Sequence, residues 1–373
     1  MPPTLPGTET HPHARAVLGA ALPPEGRPSH AYLFHGPAGT GKRAVAGAFA
    51  AVLLAEGAPD PDGVRARVER RSHPDLTWVV PSGAHELLTG DIDEPVVAAA
   101  ARTPFEARRR VFVIERADTM NDEAANKMLK TLEEPAAYAH LVLLTDRPAE
   151  VLETIASRCQ AVRFDPLAPG ELARRLVEEG VEPATADACA RLALGDGGRA
   201  RTLATGEGSA LREAAEQLAR ATLRGDLAGK PWRDLLGGAA NQGAAAVKEL
   251  EATFERDLDL VAKRDRRRRQ TEHAERVRRT HRRVQTAAID LGLQVTGQWL
   301  RDVACIGWGA EDLVYATDRL DELRADAAGR DPEALRRGVE HVEETRRRLV
   351  LNVTEELACE ALAYRLEREL AVA

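Results

Sequence analysis

The chain has 373 residues, 44% hydrophobic and 30% charged, which is enough apolar material for two or three domains with cores of their own. A net charge of -7 argues against a broadly basic nucleic-acid surface, so any such contact must come from a local patch. The opening stretch, Met1–Arg15, has no apolar h-region, and the longest apolar run (residues 44–55) is too short and Ala-rich to span a bilayer, so a cytoplasmic protein with no membrane contact is expected. Cys159, Cys189, Cys305 and Cys359 lie far apart with no C-x-x-C pair, which argues against a disulfide framework or zinc ribbon and makes buried free thiols the expectation.

In chain order, the pattern predicts a short helix over 13–22, broken by Pro and Gly, and then a strand over Ala31–Phe34. A glycine-rich loop follows, and then an Ala-rich helix to residue 55. Residues 59–75 read as polar and irregular. Leu76–Val80 reads as a second strand, 94–101 as a helix, and Val111–Ile114 as a strand whose unbroken apolar run fits a parallel sheet buried on both faces. A helix over 122–134 stops at Pro135, and Leu141–Leu144 and Ala161–Phe164 read as the fourth and fifth strands. Strands alternating with helices predict a parallel three-layer α/β sheet, with its ligand at the C-terminal strand ends.

From Leu167 the strands stop. Residues 168–207 read as a small helical domain and the rest as helices broken at 225–231, 237–243, 307–309 and 329–332. Val284, Ala288, Leu291, Val295 and Trp299 recur at helical spacing, as do Leu349, Val353 and Leu357, so each helix is expected to bury one face in a bundle.

The loop is Gly36-Pro37-Ala38-Gly39-Thr40-Gly41-Lys42-Arg43, with the spacing G-x-x-x-x-G-K of a phosphate-binding loop. In such a loop, glycines let backbone N–H groups close on an anion at a helix N-terminus and the lysine adds charge. The next residue should be Ser or Thr, whose hydroxyl completes a Mg²⁺ shell; Arg43 is a donor-only cation. A working ATPase of this kind also needs acids at the end of the third strand, where this chain has Glu115-Arg116. Glu115 could still touch a metal, whereas Arg116 cannot be a base. Two independent defects predict an inert site.

His30-Ala31-Tyr32-Leu33-Phe34, His73-Pro74-Asp75, Val113-Ile114-Glu115-Arg116-Ala117-Asp118, Leu129-Lys130-Thr131-Leu132-Glu133-Glu134-Pro135 and Ser157-Arg158-Cys159 together resemble the AAA+ P-loop NTPase core of bacterial sliding-clamp loader subunits. Within that family the degenerate loop is similar to that of the delta-prime type of DNA polymerase III. The resemblance covers roughly residues 10–205 by motif order, and the remainder only by its helical character and the Leu351-Asn352-Val353-Thr354 start of a last helix. It implies a core over 1–166, a helical lid over 167–208 and an all-α collar over 209–373 that joins a hetero-oligomer. It implies that Arg158 is an arginine finger, reaching in trans into a neighbour's ATP site, where a bidentate guanidinium stabilises γ-phosphate charge. Gly36, Gly39, Thr40, Gly41, Lys42, Arg43, Glu115, Thr145 and Arg199 would then form the degenerate nucleotide site, with Thr145 a vestigial γ-phosphate sensor and Arg199 either the second-domain sensor or a helix-start residue. The implied partners are the motor (gamma/tau) and delta subunits, the sliding clamp and, through the complex, primer–template DNA. ATP and Mg²⁺ would bind weakly at most, without turnover. Many relatives carry four zinc-binding cysteines around positions 55–72, and this chain has none there, so zinc is not expected, and His73 is expected to shape the lead-in to the second strand.

Residues 263–283 hold eleven Lys or Arg against Asp265, Glu272 and Glu275. Lys263, Arg264, Arg266, Arg267, Arg268 and Arg269 could follow a DNA backbone, or the segment could be a solvated helix or arm. Two rival readings stand beside the loader subunit. One is an active AAA+ ATPase with a carboxylate from elsewhere, such as Asp118; the other is a DNA-binding scaffold whose AAA+ core is a relic.

Overall fold

The computed structural model describes residues 5–23, 25–81, 86–258, 263–349 and 354–370, and within its helices it leaves aside the side chains of 207, 249, 253, 255–258, 263–269, 272 and 276. The chain divides into two compact units, residues 1–167 and 168–373.

The first unit is built on five parallel strands, β1 (Ala31–His35), β2 (Leu76–Val79), β3 (Arg110–Ile114), β4 (Ala139–Thr145) and β5 (Gln160–Arg163), in the order β2-β3-β4-β1-β5. Parallel pairing covers both faces with crossover helices, and the two faces sort residues by the period of two along each strand. Tyr32, Phe34, Val111, Val113, Val142 and Leu144 face one core with Val45, Phe49 and Leu53 of the Lys42–Ala55 helix. Leu33, Phe112, Ile114, Leu141 and Leu143 face the other, with Ala124, Met128 and Leu132 of the Asp122–Glu133 helix. All seven residues of β4 are buried, whereas in β5, at the sheet edge, only Val162 is. The large side chains contribute about 1.5–3 kcal/mol each. β1 pairs with β4 from Ala31↔Leu141 to His35↔Thr145, and with β5 from Tyr32↔Gln160 to His35↔Arg163, which sets the loop after His35 at the C-terminal edge of the sheet.

Two local expectations in this unit are corrected. Residues 59–75 are not irregular: a helix runs Pro61–Glu69, with Pro61 in its first turn and the Asp60 carboxylate accepting from the Gly63 N–H at 2.9 Å. That cap and proline are a helix start which the polar composition hides. The helix expected over 94–101 begins at Thr89–Ile92 and widens into a π-helical turn, Asp93–Ala98, that contains Pro95. Proline offers no N–H and crowds the carbonyl four residues back, which opens the turn.

His73-Pro74-Asp75 precedes β2 as a structural clamp. Asp75 is fully buried and accepts from the backbone N–H groups of Phe105, Glu106 and Ala107 at 2.6, 2.9 and 2.9 Å. Burial alone would raise its carboxyl, but these three donors hold it below the usual value. Buried His73 accepts from the Asp75 N–H through Nδ1 at 3.1 Å, and burial and Arg67 keep it below the ordinary histidine range.

The second unit is all-helical, with helices at Pro169–Glu178, Pro183–Leu192, Gly197–Ala204, Glu207–Arg224, Trp232–Leu258, Lys263–Gly307, Leu320–Ala327, Pro332–Leu349 and Glu355–Leu370 among the described residues. The expected lid and collar segments fall together in this unit. The break expected over 237–243 is absent, since Trp232–Leu258 is continuous. Of its glycines, Gly243 lies at a close approach, where a Cβ would stand 3.1 Å from the His281 carbonyl, whereas one on Gly238 would make ordinary contact with Leu211 at 3.6 Å and one on Gly237 would meet open space. Each helical glycine costs about 1 kcal/mol in propensity, an amount that does not break a helix packed along its length against Glu207–Arg224 and Lys263–Gly307. The single buried face expected for the long helix is also corrected: residues 291–300 are buried all round, because the Glu207–Arg224, Trp232–Leu258 and Pro332–Leu349 helices all pack on Lys263–Gly307. Leu357 is 60% exposed, off the Cys359, Leu362, Ala363, Leu366 and Leu370 stripe; Leu351, Asn352 and Val353 lie outside the described residues. No helix among the described residues is long and apolar enough to cross a membrane.

A buried ion cluster ties this unit together. Arg212, 3% exposed, pairs with Glu216 at 2.7 Å and bidentately with Asp318 at 2.6 and 2.9 Å. Arg212→Ala leaves two buried carboxylates without their guanidinium and is expected to cost about 3–5 kcal/mol, read by urea unfolding; a loss under 1 kcal/mol would contradict it. Asp75→Asn is expected to cost about 2–3 kcal/mol at pH 7 through the weakened charged hydrogen bonds. Because the folded pKa of Asp75 is depressed, its stabilisation is complete above the unfolded value of about 3.9 and disappears as pH falls through the folded one. The gap between wild type and variant should therefore hold from pH 7 to 5 and narrow in stronger acid.

Candidate functional site

The loop after β1 has the backbone its glycines predict. Gly36, Gly39 and Gly41 lie at φ +142°, +69° and +87°. A Cβ on Gly36 would stand 2.0 Å from the Phe164 carbonyl oxygen, so the loop grazes the chain leaving β5 and admits no side chain there. Gly41 caps the Lys42–Ala55 helix. Buried Thr40 turns its hydroxyl inward, donating to the Pro37 carbonyl at 3.0 Å, and its own carbonyl lies 2.8 Å from His11 Nε2. The His11 ring in turn rests against Phe164, 5.0 Å between centroids. His11 is thus part of the loop's support, a role that a lone histidine in a polar opening does not signal.

The charged residues at the loop are paired with each other. Lys42, its side chain 7% exposed, donates to the carbonyls of Gly36 and Pro37 at 2.7 and 2.6 Å and pairs with Asp146 at 2.6 Å. Arg43 Nε lies 3.0 Å from Glu115 Oε1, and the Trp78 indole N–H donates to the same oxygen at 2.6 Å. Arg71 approaches that oxygen to 3.8 Å, with its guanidinium 4.1 Å above the Trp78 ring. Asp146, Trp78 and Arg71 were not foreseen as site residues: only Asp146 carries a sequence signal, its place immediately after the expected sensor Thr145. Thr145 is buried and donates to Asp118 Oδ1 at 2.7 Å, so the carboxylate that a rival ATPase would need is engaged in holding Thr145. Arg116 takes a left-handed backbone, φ +56°, and its carbonyl accepts from the Thr119 N–H and hydroxyl at 2.9 and 2.8 Å.

The structure brings Gly36, Gly39, Thr40, Gly41, Lys42, Arg43, Glu115 and Thr145 to the C-terminal edge of the sheet. Arg158 lies elsewhere on the first unit, beyond the short Glu153–Ala156 helix, where it donates to the Thr154 carbonyl at 2.9 Å and pairs with Glu133 at 2.6 Å. Arg199 belongs to the second unit: Asp196 caps its helix by accepting from the Arg199 N–H, and its guanidinium donates to Gln294 at 2.6 Å, with Asp290 3.6 Å away. The side chains of Lys263, Arg264, Arg266, Arg267, Arg268 and Arg269 lie outside the described residues, although their backbone forms the start of the long helix. Cys189, Cys305 and Cys359 are buried, and half-buried Cys159 has its thiol pushed up to about 12 by burial. No group of three His, Cys, Asp or Glu side chains that could hold a metal ion occurs among the described residues.

Residues 13–168 match the family model described as DNA polymerase III, delta subunit. The chain is 40% identical over 166 residues to the DNA polymerase III subunit delta' of Bacillus subtilis, covering 42% of this chain and 48% of that one. It is 38% identical over 136 residues to the delta' subunit of Pseudomonas aeruginosa, covering 35% and 42%. It is also 34% identical over 139 residues to DNA polymerase III subunit tau of Bacillus subtilis, covering 37% and 24%. The matched stretches span less than half the length of each of these relatives.

Proposed function

We propose, from the premise that residues 13–168 are those of a delta-prime-type clamp-loader core with an AAA+ fold, that the chain is a non-motor subunit of the DNA polymerase III clamp loader. In this reading it occupies a fixed place in a hetero-oligomeric ring in the cytoplasm. Its partners are gamma/tau-type motor and delta-type subunits, the sliding clamp and, through the complex, primer–template DNA. The division of the helical unit into a lid over 167–208 and a collar over 209–373 belongs to the same proposal.

The observation that carries it is the pairing of Arg43 with Glu115 at 3.0 Å, a salt bridge where nucleotide hydrolysis needs a metal shell. Arg158 supports a role in trans. Its side chain is 36% exposed and its partner Glu133 49% exposed, so the pair is of the surface kind, worth about 0–1 kcal/mol. Exchanging Glu133 for a phosphate on a neighbouring subunit therefore costs little. Binding at that neighbour's site is where the guanidinium would stabilise charge.

The test is ATP turnover by the purified chain, alone and then assembled with motor and delta subunits of the same organism. The chain alone should show none. In the assembly, Arg158→Ala should lower turnover at the one site it faces on the order of 10³-fold or more, read as loss of that site's share of the DNA-stimulated rate, with folding unchanged. An unaltered rate in a complex of verified composition would exclude the finger. Turnover by the chain alone that is lost in Lys42→Ala would make it a motor instead.

A further inference from the structure

A magnesium nucleotide brings two charges to a phosphate loop: anionic oxygens on the lysine, and a divalent cation between the residue after that lysine and the acid at the end of the third strand. In this chain both places are taken by its own side chains. Asp146 Oδ1 lies 2.6 Å from Lys42 Nζ, and with the carbonyls of Gly36 and Pro37 it uses all three N–H donors of the ammonium. Arg43 Nε lies 3.0 Å from Glu115 Oε1, an oxygen that also accepts from Trp78. The residues present thus do not fit a magnesium nucleotide: a metal at Glu115 would meet the Arg43 cation, and a phosphate at Lys42 the Asp146 anion.

We propose that the loop is self-liganded: Asp146 supplies the anion on Lys42 and Arg43 the cation on Glu115, and together these two pairs exclude metal–nucleotide and hold the loop in one fixed arrangement. This rests on reading the loop as one of nucleotide-binding descent, and it does not require Arg158 to act in trans. The two loop-site groups themselves are the buried ones, Lys42 at 7% and Glu115 at 12% side-chain exposure, whereas Asp146 and Arg43 are 50% and 61% exposed. The stand-ins therefore lie on the solvent side, where substitution removes charge without emptying the core.

The experiment titrates the full chain with a fluorescent ATP analogue, with Mg²⁺ and with EDTA, using wild type, Arg43→Thr, Asp146→Asn, the double variant, and Arg43→Lys combined with Asp146→Asn. Wild type should show no Mg²⁺-dependent binding. Arg43→Thr with Asp146→Asn should bind at least tenfold more tightly and lose that gain in EDTA. The lysine variant should show no metal dependence, since it keeps a cation beside Glu115. Tight wild-type binding that collapses in EDTA would overturn the proposal, as would a double variant with wild-type unfolding behaviour and no gain. If the double variant does not fold, the wild-type titration and Arg43→Thr decide alone, the latter expected to gain metal dependence. All arms use the chain by itself, so their failure leaves the Arg158 result in the assembled loader standing.

Discussion

The first unit depends on where β1 lies in the sheet. Hydrogen-bonded to β4 on one side and β5 on the other, it delivers the chain to a point where Gly36 must pass the Phe164 carbonyl with no room for a Cβ. That constraint sets the loop, the start of the Lys42–Ala55 helix, and hence the position of Lys42 above its own loop carbonyls. His11, packed on Phe164 and joined to the Thr40 carbonyl, closes the same arrangement from the N-terminal side. A parallel sheet with both faces covered makes this placement rigid, since Tyr32, Leu33 and Phe34 of β1 and Leu143 and Leu144 of β4 are bound into one or other of two cores.

Much of this was legible in the amino-acid order because the signals were local and redundant. Unbroken apolar runs at Val111–Ile114 and Leu141–Leu144 announced buried parallel strands, and the glycine spacing announced the loop. The resemblance of roughly residues 10–205 to clamp-loader sequences came from motif order, and the family model matches 13–168 of that stretch. Elements with weaker or opposing local signals were the ones misread. The helix over Pro61–Glu69 starts at a cap and a proline inside a polar stretch, and the glycines of Trp232–Leu258 suggest a break that the packing of neighbouring helices along it overrides.

The candidate site was legible by residue type and not by pairing. Spacing and strand ends placed Lys42, Arg43 and Glu115 at one loop edge and the family resemblance added Thr145, but that Lys42 meets Asp146, or that Trp78 on β2 reaches Glu115 just past the end of β3, depends on side-chain reach across the sheet. Arg199 shows the opposite case. A Gly-Gly-Arg helix start was open to a sensor or to a structural reading, and its contacts to Asp196, Asp290 and Gln294 all lie within the helical unit.

Charge placement also bears on the loop as a structural part. In a nucleotide-dependent loop the buried lysine and the strand-end acid carry opposite charges that a bound ligand neutralises; left alone, a nearly buried cation and a nearly buried anion would each bear a desolvation cost. Here that cost is met within the chain, by Asp146 for Lys42 and by Arg43 and the Trp78 indole for Glu115. Removing the loop would leave Phe164 without the backbone that packs on its carbonyl, and the Lys42–Ala55 helix without its cap. The loop is therefore held by the same contacts that organise the sheet edge.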